Sequence, residues 1–203
     1  RHHLGLDRYV PNPTREWAPR VPPLARDRKV AVLGLGALGQ ACSQALAGLN
    51  FNVTGWSRSQ KDIAGITCLS GDDGLAQTLA RAEILVLLLP LTPDTENLLN
   101  EQRLAQMPKG AVVINPGRGP LIDDDALLAA LDSGHIARAT LDVFRKEPLP
   151  ADHPFWAHPH VTVTPHIASD SRTDSAAQVI AENIRRGEAG EPLLYLVDRG
   201  AGY

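Results

Sequence analysis

Lys29-Val30-Ala31-Val32-Leu33-Gly34-Leu35-Gly36-Ala37-Leu38-Gly39 is the stretch that decides the fold. An apolar run ends in three glycines spaced G-x-G-x-x-G, and a helical pattern follows to about Leu49. The spacing alone says little. It becomes informative when it leaves a strand and opens a helix, as it does here. Gly34 permits the tight turn, Gly36 lets the backbone approach a pyrophosphate, and Gly39 lets the helix pack close to the strand. The N–H groups of Ala37 and Leu38 at the helix start are then free to meet phosphate oxygens.

Downstream, short apolar strands alternate with helical patterns. Strands are expected over 52–56, 66–69, 84–89, 111–115, 137–143 and 161–164. Helices are expected from Asp72 and Asp73 as caps to Arg81, over 101–107, from Asp123-Asp124-Asp125 to Asp132, and over 173–186 with a stop at Gly187. Ile84 to Leu89 is unbroken apolar sequence, the pattern of a strand covered on both faces. This alternation predicts an α/β fold, a doubly wound parallel sheet of the Rossmann type that binds NAD(P). The expected organisation is an arm or linker over 1–26, a dinucleotide-binding domain over 27–170, and a C-terminal helix and tail over 171–203. Five prolines between Pro11 and Pro23 mark the arm.

Composition narrows the function. The chain has 203 residues, is 43% hydrophobic and carries a formal net charge of -3, which argues against a nucleic-acid surface or a polybasic membrane patch. Two cysteines are too few for a disulfide framework or a cysteine-based zinc site. The histidines lack i, i+4 pairing, so no metal site is expected. No stretch reads as a signal peptide or membrane span, and a cytoplasmic setting follows.

The end of the second strand bears on the cofactor. A site for NAD usually places an acid there for the ribose 2′-hydroxyl. This chain reads Gly55-Trp56-Ser57-Arg58-Ser59, with Lys61 beyond. Arg58 can grip a 2′-phosphate through paired hydrogen bonds, with Ser57, Ser59 and Lys61 adding donors. NADP is therefore expected; a solvated Arg58, or one stacked on adenine with NADH bound, is the competing reading.

Three further segments stand at the C-terminal ends of expected strands, where open α/β sheets bind ligands. They are Asn115-Pro116-Gly117-Arg118-Gly119, Leu141-Asp142-Val143-Phe144 with Glu147-Pro148, and Thr164-Pro165-His166-Ile167. With the glycine turn, they resemble the D-2-hydroxyacid dehydrogenase family. The resemblance covers nearly all of the chain from Lys29. Within the family it is nearest to the bacterial branch that reduces glyoxylate and hydroxypyruvate, through Trp56-Ser57-Arg58-Ser59, Ala129 to Gly134, Glu147 to Pro150, and the tail from Val197 to Tyr203.

The resemblance implies specific roles. His166 matches the acid/base histidine, Glu147 its carboxylate partner, and Arg118 the arginine that binds the substrate carboxylate and polarises the keto oxygen. Asp142 matches the aspartate near the nicotinamide carboxamide. Leu89, Pro90, Thr95 and also Thr92 lie where the family covers the adenosine side, and Pro116 and Gly117 on the nicotinamide side. Family members usually show alanine before the arginine, where this chain has Gly117. The implied reaction is reduction of a small 2-keto acid by NADPH, in a homodimer. A phosphorylated or bulkier substrate, or a dinucleotide-binding module without turnover, are the alternatives. The family's N-terminal substrate lobe is not visible ahead of Lys29, so the chain reads as the cofactor half of a two-lobed enzyme. Trp156 is either a pocket wall or simple packing.

Overall fold

The computed structural model describes residues 1–4, 6, 17 and 21–197. The arm expected over 1–26 therefore falls mostly, and the tail from 198 to 203 wholly, outside the described residues.

Seven strands form one parallel sheet: β1 Lys29–Leu33, β2 Asn52–Ser57, β3 Thr67–Ser70, β4 Ile84–Leu87, β5 Ala111–Asn115, β6 Ile136–Leu141 and β7 Val161–Val163. Their order is β3-β2-β1-β4-β5-β6-β7. The chain winds outward from β1 in one direction, then returns past β1 and winds in the other. The crevice between β1 and β4 is the switch point at which such sheets take ligands. Among the described residues, five α-helices connect or follow the strands: α1 Ala37–Gly48, α2 Gly71–Arg81, α3 Glu101–Ala105, α4 Asp124–Asp132 and α5 Thr173–Ala189.

Period-two alternation sorts the strands' side chains between the faces. Ala31, Leu33, Leu85, Leu87, Val113 and Ala139 are buried in one cluster with Leu75 and Leu79 of α2, Leu104 of α3, and Leu127 and Leu131 of α4. On the other face, α1 lies over β1 and β2. Beyond it Val86, Val112 and Ile114 are only half-buried. The two-faced burial expected for Ile84 to Leu89 is thus incomplete, and β4 ends at Leu87.

Element ends differ in instructive ways. Asp123 caps α4, its Oδ1 accepting from Ala126 N at 3.1 Å, as its residue type suggests. Asp72 and Asp73 do not cap α2; they lie inside its first turn, where they still face the positive end of the dipole. Gly187 does not stop α5, which runs on to Gly190 in the left-handed conformation at φ 69°.

The glycine turn follows from close contact. A Cβ on Gly39 would lie 1.7 Å from Gly34 O, and Gly34 itself sits at φ 103°. Only two glycines let α1 begin this close to the end of β1. Gly36 is different: a Cβ there would meet nothing within 4 Å, and its φ of -73° suits any residue. In urea unfolding, Gly39→Ala should cost about 1–3 kcal/mol or more through overpacking, whereas Gly36→Ala should stay within about 0.5 kcal/mol. Equal losses would show that packing does not separate the two positions.

Candidate active site

The start of α1 presents Gly36, Ala37 and Leu38 to solvent, all exposed. No side chain caps this helix, and its first turn carries no acid. The positive helix end and its free N–H groups are left uncompensated by the protein, beside a position where Cβ space is empty. That arrangement fits a pyrophosphate. Leu35, buried under Gly55, anchors the turn from below.

Ser57 ends β2 and donates to Ser59 O at 2.7 Å, closing the loop that displays Arg58. Gln60 ties that loop to β3, its amide donating to Cys68 O at 3.1 Å and accepting from Ser70 Oγ at 2.9 Å. Arg58, Ser59 and Lys61 are exposed. Among the described residues, no side-chain partner engages Arg58. A guanidinium held out from an ordered loop beside the glycine turn suits a 2′-phosphate.

Across the switch point, three loops leave β5, β6 and β7 in succession, and their backbones continue the parallel ladder. Asp142 N donates to Asn115 O at 3.0 Å, and His166 N donates to Asp142 O at 2.8 Å. The sheet therefore carries its own register into the loops that hold the candidate residues. Asn115, 1% exposed, shapes the first loop: its Oδ1 accepts from Gly117 N at 3.1 Å and its Nδ2 donates to Arg118 O at 2.9 Å. At Gly117 a Cβ would press on Leu87 O at 2.9 Å. Gly119 is packed harder still, since a Cβ there would lie 2.0 Å from the Phe144 carbonyl carbon. The Arg118 loop thus rests directly on the backbone of the Glu147 loop.

His166 Nδ1 lies 2.7 Å from Glu147 Oε2. The other carboxylate oxygen accepts from Phe144 N at 2.8 Å. Both Glu147 oxygens are occupied, so its orientation is set. Partial burial works to raise the Glu147 carboxyl. The hydrogen bonds from His166 and Phe144 N, and the charges of His166 and Arg118, outweigh it and hold the group below the usual carboxylate range. The Glu147 carboxylate thus lies in the field of both His166 and Arg118. Arg118 is exposed and its Nη1 donates to Gly117 O at 2.7 Å. With Nδ1–H given to Glu147, His166 Nε2 is left for proton exchange.

Asp142 has a structural task within the protein. It is 4% exposed and holds the His166 loop. Its Oδ1 accepts from Thr164 Oγ1 and from Ile167 N at 3.1 Å, and its Oδ2 from Ala168 N at 2.9 Å. Burial raises this carboxyl, but those donors and the His166 charge prevail and lower it. The clamp maintains His166 at φ 53°, a left-handed conformation uncommon for histidine.

Thr95 also serves the protein itself. Its hydroxyl donates to Pro90 O at 2.8 Å and accepts from Thr92 N at 2.7 Å, building the turn after β4. Leu89 is buried and Pro90 and Pro116 half-buried around this rim. Trp156 is 53% exposed, with its indole N–H on Pro150 O at 2.9 Å. Gln60 escaped the sequence reading of the site, and Asn115 and Thr164, quoted there within their segments, were given no role; an Asn two residues before a glycine in a loop was the available signal for Asn115.

Comparison with known proteins agrees with this fold. Residues 2–168 match the model of the D-isomer specific 2-hydroxyacid dehydrogenase family, NAD binding domain. The chain is 44% identical over 189 residues to glyoxylate/hydroxypyruvate reductase A of Serratia proteamaculans, covering 93% of this chain and 60% of that protein. The chain thus spans about 60% of the length of that curated relative. A D-isomer specific 2-hydroxyacid dehydrogenase of Xanthobacter autotrophicus Py2, solved in complex with NADPH and MES, is 49% identical with a TM-score of 0.95, over 100% of this chain and 84% of that one. An NADPH-dependent glyoxylate/hydroxypyruvate reductase of Sinorhizobium meliloti, solved with NADP and sulfate, is 38% identical with a TM-score of 0.94, over 100% of this chain and 66% of that one. From the strand order, the glycine turn and these matches, the chain belongs to the D-isomer specific 2-hydroxyacid dehydrogenase family, whose NAD-binding domain it contains.

Proposed function

We propose that the protein carrying this chain reduces small 2-keto acids, glyoxylate and hydroxypyruvate foremost, to 2-hydroxy acids with NADPH. The observation that carries this reading is the 2.7 Å contact between His166 Nδ1 and Glu147 Oε2, with the charge of Arg118 felt at the same carboxylate. The relatives' names support the substrate, and the relatives solved with NADPH and NADP support the cofactor.

The dinucleotide would be held by Gly34, Gly36, Ala37, Leu38 and Gly39 at its pyrophosphate and by Ser57, Arg58, Ser59 and Lys61 at its 2′-phosphate. Leu89, Pro90 and Thr95 would lie on its adenosine side, and Pro116, Gly117 and Asp142 toward the nicotinamide. When bound, the nicotinamide ring supplies the hydride. Arg118 supplies a permanent planar charge for the substrate carboxylate and the keto oxygen. Protonated His166 gives its Nε2 proton to the oxygen as negative charge develops there. Nδ1 keeps its proton throughout and donates it to Glu147, so the ring keeps its orientation and its positive form has a neighbouring anion. In the reverse direction, neutral Nε2 takes the hydroxyl proton.

A homodimer and a cytoplasmic setting complete the reading. Exposed Leu4, Leu6, Val21 and Leu24 at the front of the chain, and the half-buried β4–β5 face, are consistent with a second copy nearby. Cys42 and Cys68 are both free thiols, which suits a reducing compartment.

His166→Ala should lower kcat/KM of the intact protein by about 10²–10⁴-fold while NADPH still binds; retention of turnover would remove His166 from the chemistry, and with it this reading. Arg58→Ala should weaken NADPH by about 1–3 kcal/mol and leave NADH nearly unchanged, measured by fluorescence titration. Equal weakening of both cofactors would place Arg58 elsewhere than the 2′-phosphate.

A further inference from the structure

Arg145 lies two residues before Glu147 and is the most connected side chain of its loop. It donates from Nη2 to Ile122 O at 2.7 Å and to Asn97 Oδ1. Its guanidinium also stands 3.7 Å from both Glu96 and Asp124. The side chain thus reaches out of the β6 loop into two other segments. Those segments are themselves paired: Asn97 N donates to Pro120 O at 2.8 Å, Leu99 N to Leu121 O at 3.0 Å, and Asp123 N to Leu99 O at 3.1 Å. Arg145 closes one end of this small ladder. Neighbouring Lys146 is exposed and makes no such bond among the described residues.

The consequence falls on Glu147. Its Oε1 is tied to Phe144 N, the residue preceding Arg145. The carboxylate therefore sits on a four-residue turn held by several contacts. Gly119 packs against the Phe144–Arg145 peptide. The Phe144 ring is buried in the core beside Phe155. These contacts hold the inner side of the turn, while the Arg145 side chain ties it to the segments at 96–97 and 122–124. We propose that Arg145 is a positioning residue for Glu147: by clasping the ladder formed by residues 97–99 and 120–123, it determines where the carboxylate meets His166 Nδ1. The inference rests on the acid/base reading of Glu147 and His166.

The ladder begins just beyond the turn that Thr95 builds after β4, on the cofactor side of the crevice. Arg145 thereby joins the cofactor rim and the acid/base pair through one side chain. A guanidinium suits the task because its fork serves a carbonyl and an amide together, whereas an ammonium is a single point charge.

The test reads the proton on His166 directly. In the intact protein labelled with ¹⁵N-histidine, the neutral imidazole should carry its proton on Nδ1, facing Glu147. Arg145→Ala should lower the Nδ1–H to Nε2–H ratio by about five-fold, the equivalent of one ordinary hydrogen bond. It should reduce kcat by about ten-fold, as loss of an orienting partner does, with KM for the keto acid nearly unchanged. Arg145→Lys should restore part of both. Asn97→Gly is a second probe that keeps the left-handed backbone of Asn97, at φ 49°, and removes only the amide; it should move the ratio in the same direction. Glu147→Gln separates the two levels. If it abolishes the Nδ1–H preference while Arg145→Ala, or Asn97→Gly should the former not fold, leaves the ratio at its wild-type value, the positioning role is overturned. If Glu147→Gln leaves the ratio unchanged, the acid/base pairing itself fails, and the inference fails with it.

Discussion

The backbone hydrogen bonds from Asp142 N to Asn115 O and from His166 N to Asp142 O hold the candidate site together. They extend the ladder of β5, β6 and β7 beyond the strands proper. Loops usually lose register as they leave a sheet, and with it the precision that chemistry demands. Here the register persists for as long as a functional residue must be placed. Arg118, Glu147 and His166 come from sequence positions up to 48 apart (166 − 118), yet each stands a few residues past a hydrogen-bonded strand end.

Charge then does what the backbone cannot. Glu147 and Asp142 are both carboxylates near His166, and in both the surrounding donors and charges favour the ionised form over the effect of burial. Their uses differ. Asp142 spends its acceptor capacity on the 164–168 segment, so its charge fixes a loop. Glu147 gives one oxygen to its own turn and the other to the imidazole, so its charge meets the His166 ring. Two acids of similar type are separated by the number of backbone donors around each.

The cofactor side follows the opposite logic. Where both Glu147 oxygens have partners, the start of α1 and the Arg58 loop are left with open donors. The turn there is rigid because Gly34 and Gly39 touch, and the loop is rigid because Ser57 and Gln60 brace it. Rigid elements presenting unsatisfied donors bind an anion with little loss of conformational freedom.

Much of this was readable from residue order. The strand, glycine turn and helix over Lys29 to Leu49 declare themselves by period and by residue type, because each depends on contacts within a few residues of itself. The three candidate side chains were also legible, since they follow apolar runs that must be strands. The clamp on Asp142 and the bracing by Asn115 were not, nor was the reach of Arg145 to Asn97, because these bonds join segments whose proximity depends on strand order. The half-buried state of Val86 and Ile114 escaped for the same reason: an apolar run states that a strand can be covered on both faces, while only the path of the helices decides whether it is. Local pattern thus determined which elements form and which groups they carry. Their distances, partners and proton affinities arose only when the parallel sheet brought its C-terminal edge together.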